Sequence, residues 1–488
     1  MAEDAEHGRF DYEKIGLKCG LEIHQQLNTH KLFCHCPSVL RSDEPDFSVR
    51  RKLHAVAGES GEIDKAAKYQ AGLGKTFVYQ GYKANTCLVE LDESPPEEIN
   101  PEALKTVIQV ALLLNCRIIP LTQIMRKTVV DGSNTSGFQR TVLVAQEGYV
   151  ETQHGKIGID TICLEEDSAR IVGENGNEVT YRLDRLGIPL IEIATSPDIK
   201  NPEQAKEVAL FLGDVLRSCN VKRGIGTIRQ DVNMSVKKFG GVRVEIKGVQ
   251  EPALIIKTIN SEIERESRLG GKMEAQVRKA LPDGNTDFLR PMPGAARMYP
   301  ETDLPLLRIK KELIDKVKKT LPKLSSEIAG ELRRFGLHEE LIKLILKSGR
   351  LGEFNELAVI IKNPELVAKA LVLYPKEIAS KSGIDEDEIS QFLTKDAIAL
   401  VLEAVAHKKI KENQVKEAME RIASGIDAEK SIEFEEHDTH DLEEKVLKII
   451  REKPGLSENA YMGLMMKEFK GKVDAKSLME MIRRHAGK

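Results

Sequence analysis

The chain has 488 residues, of which 41% are hydrophobic and 31% are charged, and it contains no tryptophan. This length exceeds what one hydrophobic core organises, and domain sizes predict about three folded units. The formal net charge of -4 excludes a protein that binds nucleic acid over its whole surface, so any phosphate contact must come from a local patch.

The first seven residues are acidic and lack the apolar core of a signal peptide. No apolar run approaches the roughly 20 residues that a membrane span needs. These features predict a cytoplasmic protein that does not contact a membrane.

Seven cysteines are scattered along the chain, as reduced thiols are. Only Cys34-His35-Cys36 has a spacing typical of metal ligands. A tetrahedral zinc site usually takes its four ligands as two close pairs, and no second close pair follows within about the next fifty residues. The sequence therefore favours reduced thiols over a zinc site.

The first predicted strand covers residues 17–27 and alternates with a period of two. Its apolar residues share one face, while Glu22, His24 and Gln26 share the other. A carboxylate and an imidazole two residues apart on a strand can bind one cation. An ordinary half-buried strand with a polar solvent face explains the same pattern.

A helix is predicted at residues 101–114, with proline at its start. Residues 126–140 then combine cations at both ends with glycines and small polar side chains. Donors in such a loop can surround phosphate oxygens, although the Gly-Lys-Ser/Thr ending of a Walker A loop is absent. A plain turn has a similar composition.

Residues 158–167 form an alternating, β-branched run that ends in Glu165, Glu166 and Asp167. Three adjacent carboxylates are costly unless water, cations or a metal share their charge. On a strand, Glu165 and Asp167 point to one face and Glu166 to the other. Glu166 can therefore join Glu165 in one site only if the strand ends or bulges there. A solvated acidic turn is the competing interpretation.

Further strands are predicted at residues 188–194, 226–236 and 241–248, with a helix at 201–217. The first of these strands carries one carboxylate among aliphatic residues, and the other two have polar faces that mix acids and bases. An antiparallel sheet with one solvated side fits this pattern, and so does a sheet whose open side is the floor of an active site.

Beyond residue 308 the chain changes to helix formers with apolar residues at i, i+3 and i+4, up to about residue 423. An acidic connector at residues 433–444 precedes a basic tail. A basic helical module suits an RNA backbone, although an exposed helical face has a similar composition.

Several of these segments together resemble the GatB/GatE family of tRNA-dependent amidotransferase subunits. The resemblance runs from about residue 15 to the C-terminus, and residues 131–141 and 294–299 look like the archaeal E type rather than the bacterial B type. The segments that carry the resemblance are residues 20–24, 164–167, 189–193, 231–233, 244–247 and 299–303.

This resemblance implies an α+β fold in four parts. A mostly antiparallel β-sheet cradle domain, with the ATP and amidotransferase site, would cover residues 1–308. An all-helical domain would cover 309–430, an acidic linker 431–445, and a small helical tail domain that binds tRNA 446–488.

The resemblance also implies the chemistry. The enzyme would use ATP and Mg²⁺ to phosphorylate the γ-carboxylate of glutamate misacylated onto tRNA(Gln), and ammonia would then displace phosphate to give glutaminyl-tRNA. Neither an amidase nucleophile segment nor an asparaginase-like threonine motif is visible in the sequence. Ammonia would therefore come from a partner, either the asparaginase-like GatD subunit or a GatA/GatC-type amidase.

The resemblance further assigns residues to roles. The expected catalytic residues are Glu22, His24, Glu165, Glu166 and Arg297. The expected metal ligands are Glu22, His24, Glu165, Glu166, Asp231 and Glu245. The expected ATP-binding residues are Lys127, Ser133, Asn134, Thr135, Ser136, Gln139 and Arg140. The expected tRNA-binding residues are Lys467, Lys470, Lys472, Lys476, Arg483 and Arg484. Because Mg²⁺ prefers oxygen, the histidine makes Mn²⁺ an alternative in vitro.

One departure from the family is visible. Proteins of the archaeal E type usually carry a domain that resembles an insertion of bacterial aspartyl-tRNA synthetase before the 294–299 motif. Residues 264–289 are too few for a domain of about 100 residues, so this insertion is expected to be missing.

Two other classes of protein compete with this interpretation. A non-catalytic tRNA-binding protein would keep the fold without turnover, and the intact acidic and histidine positions argue against it. A metal-dependent hydrolase that does not use tRNA would leave the basic tail unexplained.

Overall fold

The structure, a computed structural model, describes residues 10–55, 57, 61–270, 273–293, 297–434, 439–469 and 475–486. The chain divides into two compact units, residues 1–325 and 326–488. The first unit mixes strands and helices, while the described part of the second is helical. The predicted α+β class is therefore confirmed.

Strands dominate the first unit. They are β1 (Leu17–Gln26), β2 (Phe47–Arg51), β3 (Thr76–Gly81), β4 (Arg117–Ile118), β5 (Leu121–Thr122), β6 (Ile124–Thr128), β7 (Phe138–Thr152), β8 (Gly155–Glu166), β9 (Arg170–Asn175), β10 (Glu178–Arg182), β11 (Pro189–Thr195), β12 (Ile228–Val236), β13 (Val244–Lys247), β14 (Gln276–Ala280), β15 (Thr286–Pro291), β16 (Met298–Pro300) and β17 (Leu307–Arg308). The helices of this unit are α1 (Tyr12–Ile15), α2 (Lys65–Gly72), α3 (Pro101–Leu113), α4 (Pro202–Ser218), α5 (Pro252–Leu269) and α6 (Lys311–Lys318).

One large sheet organises the first unit. Its spatial order among the described residues is β15-β14-β13-β12-β1-β11-β8-β7-β6-β16, with β4 paired to β7. All of these pairs are antiparallel except β13 and β14. A second sheet has the order β2-β3-β10-β9, and β17 pairs with β5. The predicted antiparallel character is confirmed.

The two faces of the large sheet differ. Helices α3, α4 and α5 pack on one face, where Leu21 and Ile23 of β1 are fully buried. Helix α4 begins at Pro202, as predicted. The Asn201 side chain caps it by accepting a hydrogen bond from the backbone N–H of Gln204 (2.7 Å). The helices leave the opposite face of the sheet for polar side chains. We call these two faces the helix-covered face and the open face.

The first unit extends beyond the predicted boundary at residue 308. Helix α6 packs on α3, and Val317 is fully buried in the same core as the large sheet. Residues 309–325 therefore belong to the first unit rather than to the helical domain, because the apolar face of α6 completes that core.

The helices of the second unit form two apolar clusters. Residues between Ala329 and Ala423 form the larger one, and Val446, Tyr461, Met465, Leu478 and Ile482 form the smaller. The helices are α7 (Ser325–Arg334), α8 (Glu339–Ser348), α9 (Leu351–Leu357), α10 (Pro364–Ala368), α11 (Tyr374–Ser382), α12 (Glu386–Phe392), α13 (Lys395–Ala406), α14 (Val415–Ala423), α15 (Ala428–Ser431), α16 (Thr439–Glu452), α17 (Glu458–Phe469) and α18 (Ala475–Ala486). Part of the predicted acidic linker, residues 435–438, lies outside the described residues.

No helix in the described part of the chain combines the length and the apolar character that crossing a bilayer requires.

Candidate active site

A cavity of about 890 Å³ lies over the open face of the large sheet. Strand pairing brings its floor together, because Glu22 lies opposite Asp231, and His24 lies opposite Glu192. Seven consecutive strands, from β13 to β6 in the sheet, supply polar residues to this floor, and these are Glu22, His24, Lys127, Gln139, Glu165, Glu192, Arg229, Asp231, Glu245 and Lys247. Lys279 of β14 and Arg290 of β15 line the cavity as well. The polar faces predicted from alternation are therefore the floor of a cavity.

His24 is at the centre of this floor. Its Nε2 lies 3.4 Å from a Glu22 oxygen and 3.2 Å from a Glu192 oxygen. Ligand atoms of Glu22, His24 and Asp231 lie within 4.8 Å of one another, and so do those of His24, Glu165 and Glu192. Two overlapping clusters thus share one imidazole.

The donor chemistry of these clusters fits a divalent cation. Carboxylate oxygens are the ligands that Mg²⁺ and Mn²⁺ prefer, and one imidazole is compatible with Mn²⁺. Burial, followed by repulsion from Glu192, raises the pKa of Glu22 to about 7, while His24 opposes this shift. Because of this raised pKa, part of the Glu22 carboxyl groups carry a proton near neutral pH. A bound cation would favour the ionised carboxylate and so would release that proton.

Two lysines neutralise the floor. Lys127 Nζ lies 2.5 Å from a Glu165 oxygen and 3.3 Å from a Glu192 oxygen. Lys247 Nζ lies 2.7 Å from an oxygen of Asp231 and 2.7 Å from an oxygen of Glu245. Each lysine therefore bridges two carboxylates. Glu245, which the resemblance assigned to the metal, lies beside Lys247 and outside both clusters.

The remaining electrostatics follow from the same contacts. Burial lowers the pKa of His24, but the hydrogen bond and charge of Glu192 outweigh burial and raise it overall. Burial raises the pKa of Glu192, but Lys127 and His24 hold it well below its usual range. The two clusters therefore combine an ionised carboxylate with an imidazole that is easily protonated.

Glu166 does not join this site. Strand β8 is regular at its end, where Glu165 pairs with Leu190 and Glu166 with Pro189, so the two side chains point to opposite faces. Glu166 lies on the helix-covered face and accepts a hydrogen bond from the Arg140 backbone N–H (3.1 Å). The prediction that Glu166 shares a metal site with Glu165 is wrong for this geometric reason.

The 126–140 segment is divided in the same way. Lys127 and Gln139 pair across β6 and β7 and point to the cavity, where Gln139 Nε2 donates to Glu165 (3.1 Å). Arg126 and Arg140 form the next pair and point to the helix-covered face. The expected ATP-binding role of Arg140 is not supported, because its guanidinium lies in a buried network away from the cavity.

Three of the four small polar side chains of this segment donate to backbone carbonyls. Thr135 donates to the Glu90 carbonyl (2.6 Å), while Asn134 and Ser136 donate to the Phe138 carbonyl (both 2.9 Å). The backbone N–H of Ser133 donates to Asp131 (2.9 Å). None of the four lines the large cavity. Thr135 and Ser136 instead line a small second cavity with Arg140 and Glu166. The expected phosphate contacts stay a prediction, and these hydrogen bonds fit the competing interpretation of a turn.

The predicted tRNA-binding residues of the tail are only partly visible. Lys470 and Lys472 lie outside the described residues, as do the side chains of Lys467 and Lys476. Arg483 and Arg484 are exposed on α18, with Arg483 3.1 Å from Glu458 and Arg484 3.8 Å from Glu443. Their role in tRNA binding stays a prediction.

Cysteines that are far apart in sequence meet in the structure. Ligand atoms of Cys34, Cys36, Cys87 and Glu90 lie within 4.8 Å of one another. A hydrogen bond from the Cys34 thiol is the main cause that lowers the pKa of Cys36 to about 7. The sequence has no second pair of metal-ligating residues close to Cys34 and Cys36. In the folded chain, however, Cys87 and Glu90 form such a pair beside them. The expectation that these thiols are reduced and do not bind zinc stays a prediction.

Sequence reasoning missed Glu192 and Lys247 as members of the site. The sequence signal for Glu192 was a single carboxylate in an otherwise aliphatic strand, and only strand order could pair it with His24. Lys247 lies two residues after Glu245, on the same polar face of β13. Arg297 does line the cavity, and its Nε donates to the Thr128 carbonyl (3.1 Å).

Fold and site together define a class of protein, an α+β protein whose antiparallel sheet carries a carboxylate and histidine cluster under a cavity. Comparison with known proteins makes this class specific. The GatB/GatE catalytic domain matches residues 17–315. The chain belongs to the GatB/GatE family.

Archaeal relatives match nearly the whole chain, and all three described here are E-type subunits of glutamyl-tRNA(Gln) amidotransferase. The relative from Methanocaldococcus jannaschii is 35% identical and covers 97% of this chain and 99% of its own. The relative from Methanosarcina acetivorans is 34% identical over 98% of each chain, and that from Pyrococcus horikoshii is 36% identical over 84% of this chain and 86% of its own. The first of these alignments spans 641 positions, more than the 488 residues here, so that relative carries residues with no counterpart in this chain.

Proposed function

We propose that this protein is the component of a glutamyl-tRNA(Gln) amidotransferase that activates and amidates the tRNA-bound glutamate. The observation that carries the proposal is the pair of overlapping carboxylate clusters centred on His24 on the floor of the cavity. Membership of the GatB/GatE family and the names of the archaeal relatives support the substrate, misacylated tRNA(Gln).

Activation is needed because a free carboxylate repels ammonia and has no adequate leaving group. In the proposed first step a glutamyl γ-carboxylate oxygen attacks the terminal phosphorus of ATP. An O–P bond forms, the bond to the bridging oxygen breaks, and its electron pair leaves with ADP. In the second step ammonia attacks the acyl carbon, phosphate leaves with the electrons of the C–O bond, and the proton that the nitrogen loses passes to the departing phosphate.

The carboxylates and His24 would hold Mg²⁺, which would offset phosphate charge during transfer. Glu165 and Glu192 each contact Lys127 (2.5 and 3.3 Å), so this lysine partly neutralises both carboxylates. Gln139 fixes the second oxygen of Glu165 (3.1 Å). The site residues are thus oriented by the sheet and its hydrogen bonds.

Ammonia would come from a separate protein chain. The archaeal E-type relatives favour an asparaginase-like GatD partner, with GatA/GatC-type amidases as the alternative. Co-purification with each partner, followed by the transamidation assay with asparagine or glutamine as the amide donor, distinguishes these two arrangements. The tail, including Arg483 and Arg484, is the proposed contact with tRNA.

The proposal is tested by ATP hydrolysis with and without glutamyl-tRNA(Gln). Hydrolysis should rise when this tRNA is added, and Glu165→Ala should abolish the rise while tRNA binding is retained. A protein that only binds tRNA would bind glutamyl-tRNA(Gln) without any rise in ATP hydrolysis. A hydrolase that does not use tRNA would keep its activity after the tail is deleted. A rise that Glu165→Ala leaves intact would contradict the assignment of the site.

A further inference from the structure

Two arginines also line the large cavity, Arg290 and Arg297. Arg297 is fixed by its hydrogen bond to the Thr128 carbonyl (3.1 Å). The side chain of Arg290 makes no hydrogen bond or ion pair with any described residue, and Arg297 makes no ion pair within the same residues. With Arg243, which is held by the Asn233 amide, the cavity contains three guanidinium groups that form no ion pair with a carboxylate of the described residues, and Arg290 is the one of them without a hydrogen bond there.

A β-bulge directs Arg290 into the cavity. In the β14–β15 pair, Val277 lies opposite Arg290 and Arg278 lies opposite Phe288, so Leu289 is an extra residue. Such bulges change the direction of side chains and are frequent beside active sites. The bulge explains how the consecutive residues Leu289 and Arg290 both line the same cavity.

The two arginines lie in the same part of the site, because both line the large cavity and also a smaller one bordered by Thr128 and Asp131. Burial, and then the charge of Arg290, lower the pKa of Arg297, while Glu165 and other acids oppose this shift. Two adjacent cations in a partly desolvated cavity are costly unless an anion is bound between them. Their arrangement is therefore that of an anion site.

We propose that Arg290 and Arg297 bind the terminal phosphate of a nucleoside triphosphate. The inference rests on the function proposed above and assigns phosphate recognition to this pair instead of residues 133–136. A terminal phosphate offers three non-bridging oxygens, enough for two guanidinium groups and a metal ion at once. An RNA phosphodiester has two such oxygens and one charge, so it matches the site less well.

Calorimetry with ATP and with ADP, both with Mg²⁺, tests the proposal on the full chain. Arg290→Gln should weaken ATP binding by about tenfold or more and ADP binding much less, because the lost contact is charge-assisted and reaches the terminal phosphate. Arg290→Lys should bind ATP with intermediate affinity. Arg243→Gln is the matched control, since Arg243 lines the same cavity but its guanidinium is held by Asn233 (2.9 and 3.1 Å).

Three outcomes would overturn the proposal. They are unchanged ATP affinity in Arg290→Gln, equal losses for ATP and ADP, and a selective loss of tRNA binding with a weaker salt dependence, which would indicate a phosphodiester ligand. If Arg290→Gln leaves ATP binding intact while Glu165→Ala abolishes turnover, this inference alone fails. A wild-type protein that binds no ATP would contradict the proposed function as well.

Discussion

Glu165 and Glu166 are neighbours in sequence but belong to two different electrostatic environments. Glu165 lies on the open face, where it contacts Lys127 and Gln139. Glu166 lies on the helix-covered face and is bound by the backbone and side chain of Arg140. One step along a strand therefore separates a carboxylate that borders a cavity from one that belongs to a buried network.

The partners of the two carboxylates explain the difference. On the helix-covered face Arg140 Nε donates to Glu301 (2.8 Å), Arg126 donates to the other Glu301 oxygen (2.5 Å), and Arg140 lies over the Phe138 ring. These guanidinium groups are fixed by several contacts each. Beside Glu165 on the open face the cation is a lysine, a point charge on a flexible stem rather than a planar guanidinium. We infer that one face stabilises the fold and the other performs chemistry.

The largest expected effect on stability comes from breaking the buried network. Arg140→Met should lower the free energy of unfolding by about 3–5 kcal/mol, because it removes the only guanidinium that contacts buried Glu166 among the described residues and one of the two that contact buried Glu301. Denaturant unfolding measures this effect.

The control for this substitution is Arg117→Met, which breaks an exposed pair with Glu147 (2.9 Å). It should leave the free energy of unfolding almost unchanged, because an exposed ion pair is screened by solvent. If Arg140→Met were as mild as this control but abolished ATP binding, Arg140 would belong to the active site and the division between the two faces would be wrong.

Glu266 on α5 is a buried carboxylate without hydrogen-bond donors among the described residues, unlike Glu165 and Glu166. Both of its oxygens are buried without a hydrogen bond from any described residue. Burial, followed by repulsion from Glu262, raises its pKa from 4.5 to about 8. The folded state therefore holds a proton that the unfolded state has lost between these values, and stability falls as pH rises through this window.

Glu266→Met should remove this pH dependence. At pH 9 the variant should have a larger free energy of unfolding than wild type. The difference between variant and wild type should be greater at pH 9 than at pH 5 by on the order of 2 kcal/mol or more. Thermal or denaturant unfolding at the two pH values measures the difference. An equal effect of the substitution at both pH values would show that Glu266 keeps an ordinary pKa in the folded protein.

The smallest expected effect concerns the loop predicted to hold phosphate. Thr135 is buried, and its hydroxyl donates to the Glu90 carbonyl (2.6 Å). Thr135→Val should cost about 1 kcal/mol of stability and leave ATP affinity unchanged. Unfolding and calorimetry on the same preparation check both statements. A tenfold loss of ATP affinity in this variant would show that the loop does contribute to ATP binding.

Strand alternation allowed much of the site to be predicted. Glu22, His24 and Asp231 lie on the open face because their strands keep a strict period of two, and the same rule separates Glu165 from Glu166. Alternation assigns a face within one strand, but it does not say which strands are neighbours. Glu192 therefore could not be connected with His24 before the strand order was known.

The prediction that the loop holds phosphate stays untested, and the structure weakens it for a different physical reason. Composition shows that Asn134 and Thr135 can donate hydrogen bonds, but it does not show whether backbone carbonyls of the same fold have already taken those donors. Both side chains are buried and bonded to carbonyls. Arg290 was missed because a bulge, which the sequence pattern does not reveal, directs it into the cavity.

The central claim is that the open face binds a divalent cation and the helix-covered face does not. Mn²⁺ titration followed by electron paramagnetic resonance tests this most directly, with wild type compared with Glu192→Gln and Glu166→Gln at a temperature where each is folded. Glu192→Gln should weaken Mn²⁺ binding by about tenfold or more, and Glu166→Gln should bind as wild type does. Loss of Mn²⁺ binding in Glu166→Gln, with Glu192→Gln unaffected, would contradict this account.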